Sequence, residues 1–166
     1  MEITITVANI TSFVDDPEHP GVVTGLVHIE GLTAPEGARI SGGSFNLFVD
    51  EGDPNARAMR YALPFHAADG RQYVLSGVKD VRGRRIIDFW RATTTLAARL
   101  ESSDDGAVGI GRLRISTTGV AGLISSMRLA PGGRKGDVPA AFWRFVRFYA
   151  ATLLKLYAAG TRGRWP

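Results

Sequence analysis

Six side chains in the middle of this 166-residue chain have the types and spacing for chemistry: Tyr61, His66, Tyr73, Lys79, Asp88 and Trp90. Each sits in a segment with strand character and apolar neighbours, so its polar group is set against an apolar background. Lys79 and Asp88 are spaced to face one another from adjacent strands, and a structural ion pair is their plainest reading. A buried pair of this kind serves specificity of packing more than stability. Two functional readings stand beside it. In one, the six surround an apolar lipid- or sterol-like ligand. In the other, Tyr61, His66, Tyr73, Asp88 and Trp90 line a barrel interior that performs acid–base chemistry on a small apolar substrate.

Other candidates carry less. Gly42-Gly43-Ser44-Phe45-Asn46 is not a nucleophile elbow, because Asn stands two after Ser44 and the context is strand. Gly109-Ile110-Gly111 lacks the third glycine, the helix and the acidic partner of a dinucleotide site. There is no P-loop. His19, His28 and His66 are far apart and lack ligands at helical spacing, so no metal is expected. Asp50, Asp53 and Asn55 offer oxygen ligands that calcium would accept, but the later bidentate Glu of an EF-hand loop is missing. Asx-turn chemistry accounts for them.

The elements that must position the six are strands. From Ala58 to Lys79, Met59, Tyr61, Leu63 and Phe65 alternate with Arg60, Ala62, Pro64 and His66. Asp69-Gly70 then turns the chain, and Tyr73, Leu75 and Gly77 resume the period of two. Asp-Gly between alternating runs is a strong hairpin signal, because Gly reaches positive φ without a Cβ clash. Before the hairpin, Ile3, Ile5 and Val7 predict a first strand, Gly21 to Leu32 a second, and Phe45 to Val49 a third. After it, Ile86 to Leu96, Val108 to Ile115 and Leu123 to Leu129 predict further strands. Short strands at regular spacing with Gly- or Asp-rich turns are the pattern of a sandwich or barrel.

The period changes near the end. Pro131 to Gly136 is a loop, Asp137 an N-cap, and Val138 to about Ala159 a helix stopped by Gly160. Phe142, Phe145, Phe148 and Tyr149 belong to an apolar arc wider than the usual surface helix shows. Arg144, Arg147 and Lys155 on a narrow stripe argue against a membrane span. Packing across the sheet or barrel mouth is the expectation. A partner or dimer contact through those four aromatics, or an interfacial lipid contact, is the alternative.

Composition bounds the rest. Hydrophobic residues at 45% and charged residues at 22% are ordinary for a globular domain, and the length suits one domain over 1–166. Within it the expected order is a β region (1–130), a loop (131–137), the helix (138–159) and a basic tail (160–166). With no cysteine, disulfides and thiolate chemistry are excluded. The first residues lack a basic n-region and a continuous apolar run, so a signal peptide is not expected and cytoplasm is the default. Asn9-Ile10-Thr11 fits a glycosylation sequon that would then be idle. Lys79, Lys135 and Lys155 are the lysines among 20 basic residues, which leaves 17 arginines spread along the chain. Val81-Arg82-Gly83-Arg84-Arg85 is the one dense cluster and is expected at a solvated hairpin tip. Stacking aromatics do not interleave it, so no nucleic acid is expected.

An ordered series of short pieces resembles a known family. The pieces are Gly43-Ser44-Phe45-Asn46-Leu47-Phe48-Val49, Met59-Arg60-Tyr61, Asp69-Gly70, Gly77-Val78-Lys79, Asp88-Phe89-Trp90 with Thr93-Thr94-Thr95-Leu96, and Gly109-Ile110-Gly111. The series is similar to the all-β segment of large bacterial cholesterol-oxidase-like proteins of the glucose–methanol–choline oxidoreductase group. There it accompanies an FAD-dependent oxidoreductase region and often an α/β-hydrolase region. The family segment also tends to end in an aromatic-rich helix, like Phe142 to Tyr149 here. The likeness spans roughly Val22 to Tyr157. It implies a β domain that keeps company with an oxidoreductase or hydrolase. The FAD-binding glycine motif and catalytic region are absent from these residues, so no active-site residue carries over and no cofactor is expected.

The expectation is therefore a mainly β fold: an antiparallel barrel or sandwich of about eight strands with one C-terminal helix. Its expected role is non-catalytic, as an accessory or binding domain for an oxidoreductase or hydrolase partner or for an apolar ligand. The barrel enzyme and a structural oligomer subunit are the alternatives.

Overall fold

The computed structural model of the chain describes residues 1–82, 95–104, 106–114 and 138–161. These form one antiparallel sheet of eight strands and two helices. The strands are β1 (Glu2–Thr6), β2 (Pro20–Val27), β3 (Ala38–Arg39), β4 (Gly43–Val49), β5 (Ala56–His66), β6 (Gln72–Arg82), β7 (Thr95–Ser102) and β8 (Gly106–Arg114). The helices are α1 (Ile10–Asp15) and α2 (Val138–Thr161). The sheet runs β1-β2-β4-β5-β6-β7-β8, with β3 paired to β2. The expected mainly β fold with a C-terminal helix is present. Among the described residues the sheet stays open, with β1 and β8 at its edges.

The central hairpin follows the alternation. β5 and β6 pair without interruption from Ala56 opposite Arg82 to His66 opposite Gln72. Met59, Leu63, Phe65, Tyr73, Leu75 and Val81 are buried on one face, while Arg60, His66, Val78 and Asp80 are exposed on the other. At the turn Gly70 adopts φ +83°, its N–H donates to the Ala67 carbonyl, and Asp69 Oδ1 accepts from the Arg71 N–H at 3.0 Å.

β3 and β4 are two halves of one broken strand. Ile40 N–H donates to the Gly25 carbonyl on one side and Ser41 N–H to the Pro64 carbonyl on the other. Gly42, at φ +72°, then lets the chain restart as β4 between the same neighbours. Gly25 is required for a different reason. A Cβ there would stand 2.1 Å from the Glu2 carbonyl oxygen, so β1 closes on β2 only over a glycine.

The boundaries depart from the sequence reading in several places. The second strand stops at Val27 rather than Leu32, because residues 29–33 form a turn in which Leu32 and Thr33 N–H both donate to the Ile29 carbonyl. Val81 and Arg82, expected at a hairpin tip, lie inside β6, and Val81 is fully buried. Helix α2 runs through Gly160 to Thr161, a difference within the fraying range of helix ends. Helix α1 was not expected at all. Asn9, read as a sequon, is its N-cap, with Oδ1 accepting from Thr11 and Ser12 N–H. The helix ends at Asp16, which is extended because Pro17 follows. The expected strand at 123–129, the loop at 131–137 and most of the strand at 86–96 lie outside the described residues.

Candidate functional site

The core face of the sheet has two regions of different character. In one, the row across the strands is Tyr61, Gly77, Ala98 and Gly111, each directly opposite the next. One step along the hairpin on the same face, Met59 stands opposite Lys79. The row loses side-chain volume toward the β8 edge, where a Cβ added at Gly111 would meet no atom of the described residues within 4 Å. Beside it a Cβ at Gly109 would touch, among the described residues, only Leu100 Cβ, at 3.9 Å.

Lys79 is 8% exposed and makes no hydrogen bond or ion pair among the described residues. A buried, unpartnered ammonium is costly, because desolvation disfavours the charged form. Burial accordingly lowers the Lys79 pKa from 10.5 to about 8. Tyr61, on the same face, packs its ring on Phe45 at 4.8 Å. Burial, and then the charge that would develop on Tyr149, push its phenol up from 10.0 to about 12. Tyr61 is thus a phenol over the whole ordinary pH range, able to donate a hydrogen bond.

The remaining sequence candidates divide. Tyr73 is buried on the core face and stacks on Phe65 at 5.9 Å. His66 is exposed on the opposite face of β5, so it does not converge with Tyr61, Tyr73 and Lys79. Asp88 and Trp90 lie outside the described residues, and with them the expected pairing of Lys79 with Asp88. At the acidic turn Asp50 Oδ1 accepts from Gly52 N–H and Asp53 Oδ1 from Asn55 N–H, both at 2.9 Å. Arg57 also pairs with Asp50 at 3.1 Å and Arg60 with Glu51 at 2.6 Å. These are turn and strand contacts. Among the described residues no cluster of three His, Asp or Glu is arranged to hold a metal ion.

Where α2 covers the core face the packing is aromatic. Phe148 of α2 lies 4.6 Å from His19, 6.2 Å from Phe13 and 6.2 Å from Phe48, and Tyr149 lies 5.1 Å from Phe48. Among the described residues His19 (φ +40°) and Phe48 (φ +55°) are the non-glycine residues with positive φ, and both touch Phe148. The His19 Nδ1–H donates to the Phe13 carbonyl at 2.7 Å, which fixes the ring over Phe148. A shift of register between Asn46 and Val49 marks a bulge in β4, and that bulge turns Phe48 toward the helix. Sequence reading had no signal for either strained residue. Of the helix aromatics singled out as contacts, Phe145, Phe148 and Tyr149 pack against the protein's own core, while Phe142 is exposed. Trp143 and Leu154 are, among the described residues, the most exposed large apolar side chains of the helix.

No described helix is long and apolar enough to cross a membrane. No family model, curated protein or solved structure matches this chain.

Proposed function

We propose that this domain is a non-catalytic binding module for an elongated apolar molecule with one acidic group, a long-chain carboxylate being the simplest case. The observation that carries this reading is Lys79. Among the described residues it is a buried cation without a partner, on the same face as a row that thins to glycine toward β8. A carboxylate set against it would supply the missing counter-charge, and charge-assisted hydrogen bonds of this kind are the strong ones. The apolar body would lie along Gly77, Ala98 and Gly111, with the Tyr61 phenol as a second donor. The resemblance to the β segment of cholesterol-oxidase-like proteins fits a lipid- or sterol-like ligand. It also fits an oxidoreductase or hydrolase as the protein that receives it, in the cytoplasm.

The test compares a long-chain fatty acid with its methyl ester by titration calorimetry. The acid should bind about tenfold or more tightly, the worth of one charge-assisted contact. Lys79→Met should remove that preference while the ester binds as before. Equal binding of acid and ester to the native protein would overturn the reading.

A further inference from the structure

We infer that the outward face of α2 is a docking surface for an anionic lipid bilayer, on which the helix lies in the plane of the headgroups. Helix α2 (Val138–Thr161) contains three cations, Arg144, Arg147 and Lys155, and no acidic residue. Its inner arc is fully used: Phe145, Phe148, Tyr149, Leu153 and Leu156 pack on the core. Its outer arc is not. Trp143 is 66% exposed and Leu154 is 69% exposed, eleven residues apart and therefore on one line of the helix. Arg147, exposed, lies between them on that line. Leaving two large apolar side chains in water on a helix already anchored by its other face has no packing rationale in the monomer.

Charge selects the occupant. Arg144 pairs with Asp15 of α1 at 3.5 Å, but Arg147 and Lys155 make no ion pair among the described residues. The docking face therefore presents apolar anchors with uncompensated positive charge beside them. A Trp and a Leu at headgroup depth, flanked by Arg and Lys, is the composition that binds anionic membranes in the interfacial plane. The chain's net charge of +4 adds long-range attraction to the same surface. The inference is independent of the ligand proposed for Lys79, since none of these residues is on the core face of the sheet.

The experiment is flotation of the full chain with vesicles of phosphatidylcholine containing phosphatidylglycerol, and with phosphatidylcholine alone. Binding is expected to the anionic vesicles only and should weaken as salt is raised. Arg147→Gln and Lys155→Gln should each weaken it roughly fivefold. The double variant Trp143→Ala/Leu154→Ala should weaken it more than about tenfold, with an unchanged melting temperature because both side chains are already in water. Absence of binding to anionic vesicles at low salt would overturn the inference. So would vesicle binding that the Trp143/Leu154 variant leaves intact. A dimer in solution that the same variant dissociates would also overturn it, by giving the face to a second copy of the chain.

Discussion

The two regions of the core face solve the problem of burial in opposite ways. Where α2 covers it, aromatic rings from α1, β4 and α2 fill the space so completely that His19 and Phe48 are held at positive φ to complete the cluster. Backbone strain of this kind costs on the order of 1–3 kcal/mol per residue and persists only where the surroundings over-determine it. On β6, a lysine that has no partner among the described residues is buried beside a row of small residues running toward β8. One region accepts backbone strain to gain packing, and the other buries a charge that has no partner among the described residues. The aromatic region is thus where stability is concentrated, and the lysine region is where the proposed ligand would bind.

The sharpest way to break this contrast is Phe48→Ala. Phe48 is 2% exposed, and its truncation should cost about 3–5 kcal/mol, the usual loss for a buried Phe, read by urea denaturation. Phe48→Gly should cost about 1 kcal/mol less than Phe48→Ala, because glycine relieves the positive φ. Equal losses would show that the backbone there carries no strain.

Lys79→Met should act in the opposite direction. Removing an unpaired buried charge and keeping the volume should stabilise the unliganded protein by about 1–3 kcal/mol. The same change should abolish the preference for an acidic ligand, so stability and binding move apart. A destabilised Lys79→Met protein would mean that the ammonium is satisfied.

The pH dependence gives a smaller and more diagnostic signal. Unfolded Lys79 keeps its proton to pH 10.5, but the folded state loses it near 8. Below about pH 8 the fold bears the full cost of the buried charge. Between about 8 and 10.5 the unfolded chain binds more protons, so stability rises with pH. Tyr61 works the other way. Its phenol ionises at 10.0 when unfolded and about 12 when folded, so its contribution is lost above pH 10. Stability should climb from about pH 8, peak near 10 and then fall. Lys79→Met should remove the climb alone, and Tyr61→Phe should soften the fall alone.

The smallest effect compares two glycines. At Gly111 an added Cβ meets no described residue within 4 Å, so Gly111→Ala should be neutral or stabilise by up to about 1 kcal/mol. At Gly25 the Cβ would strike the Glu2 carbonyl, so Gly25→Ala should release β1 from the sheet edge, seen as faster amide exchange over Glu2–Thr6.

Much of this protein was legible one residue at a time. Met59, Tyr61, Leu63 and Phe65 announce β5 by period, Asp69-Gly70 announces the turn, and the register of the hairpin follows from both. Helix α2 is legible from its apolar period and Pro139 near its start. Helix α1 was not, because six residues give too few turns for a period to show. The candidate site was legible only in part. Lys79 stands out as a polar residue in an apolar strand, but His66, equally conspicuous, falls on the other face because the side-chain period is two.

The sequence by itself determined the central hairpin, its apolar face and helix α2, since alternation and turn chemistry are local properties. Only the tertiary structure decided that Phe48 and His19 meet at Phe148, that Gly77, Ala98 and Gly111 line up into one row, and that Lys79 is buried on the same face. Each of those depends on which strands become neighbours, and strand order is fixed by contacts between residues distant in the chain. The exposed Trp143 and Leu154 belong with them. A helix this apolar all round must turn one arc to the sheet, and the sheet chose the arc of Phe145, Phe148 and Tyr149.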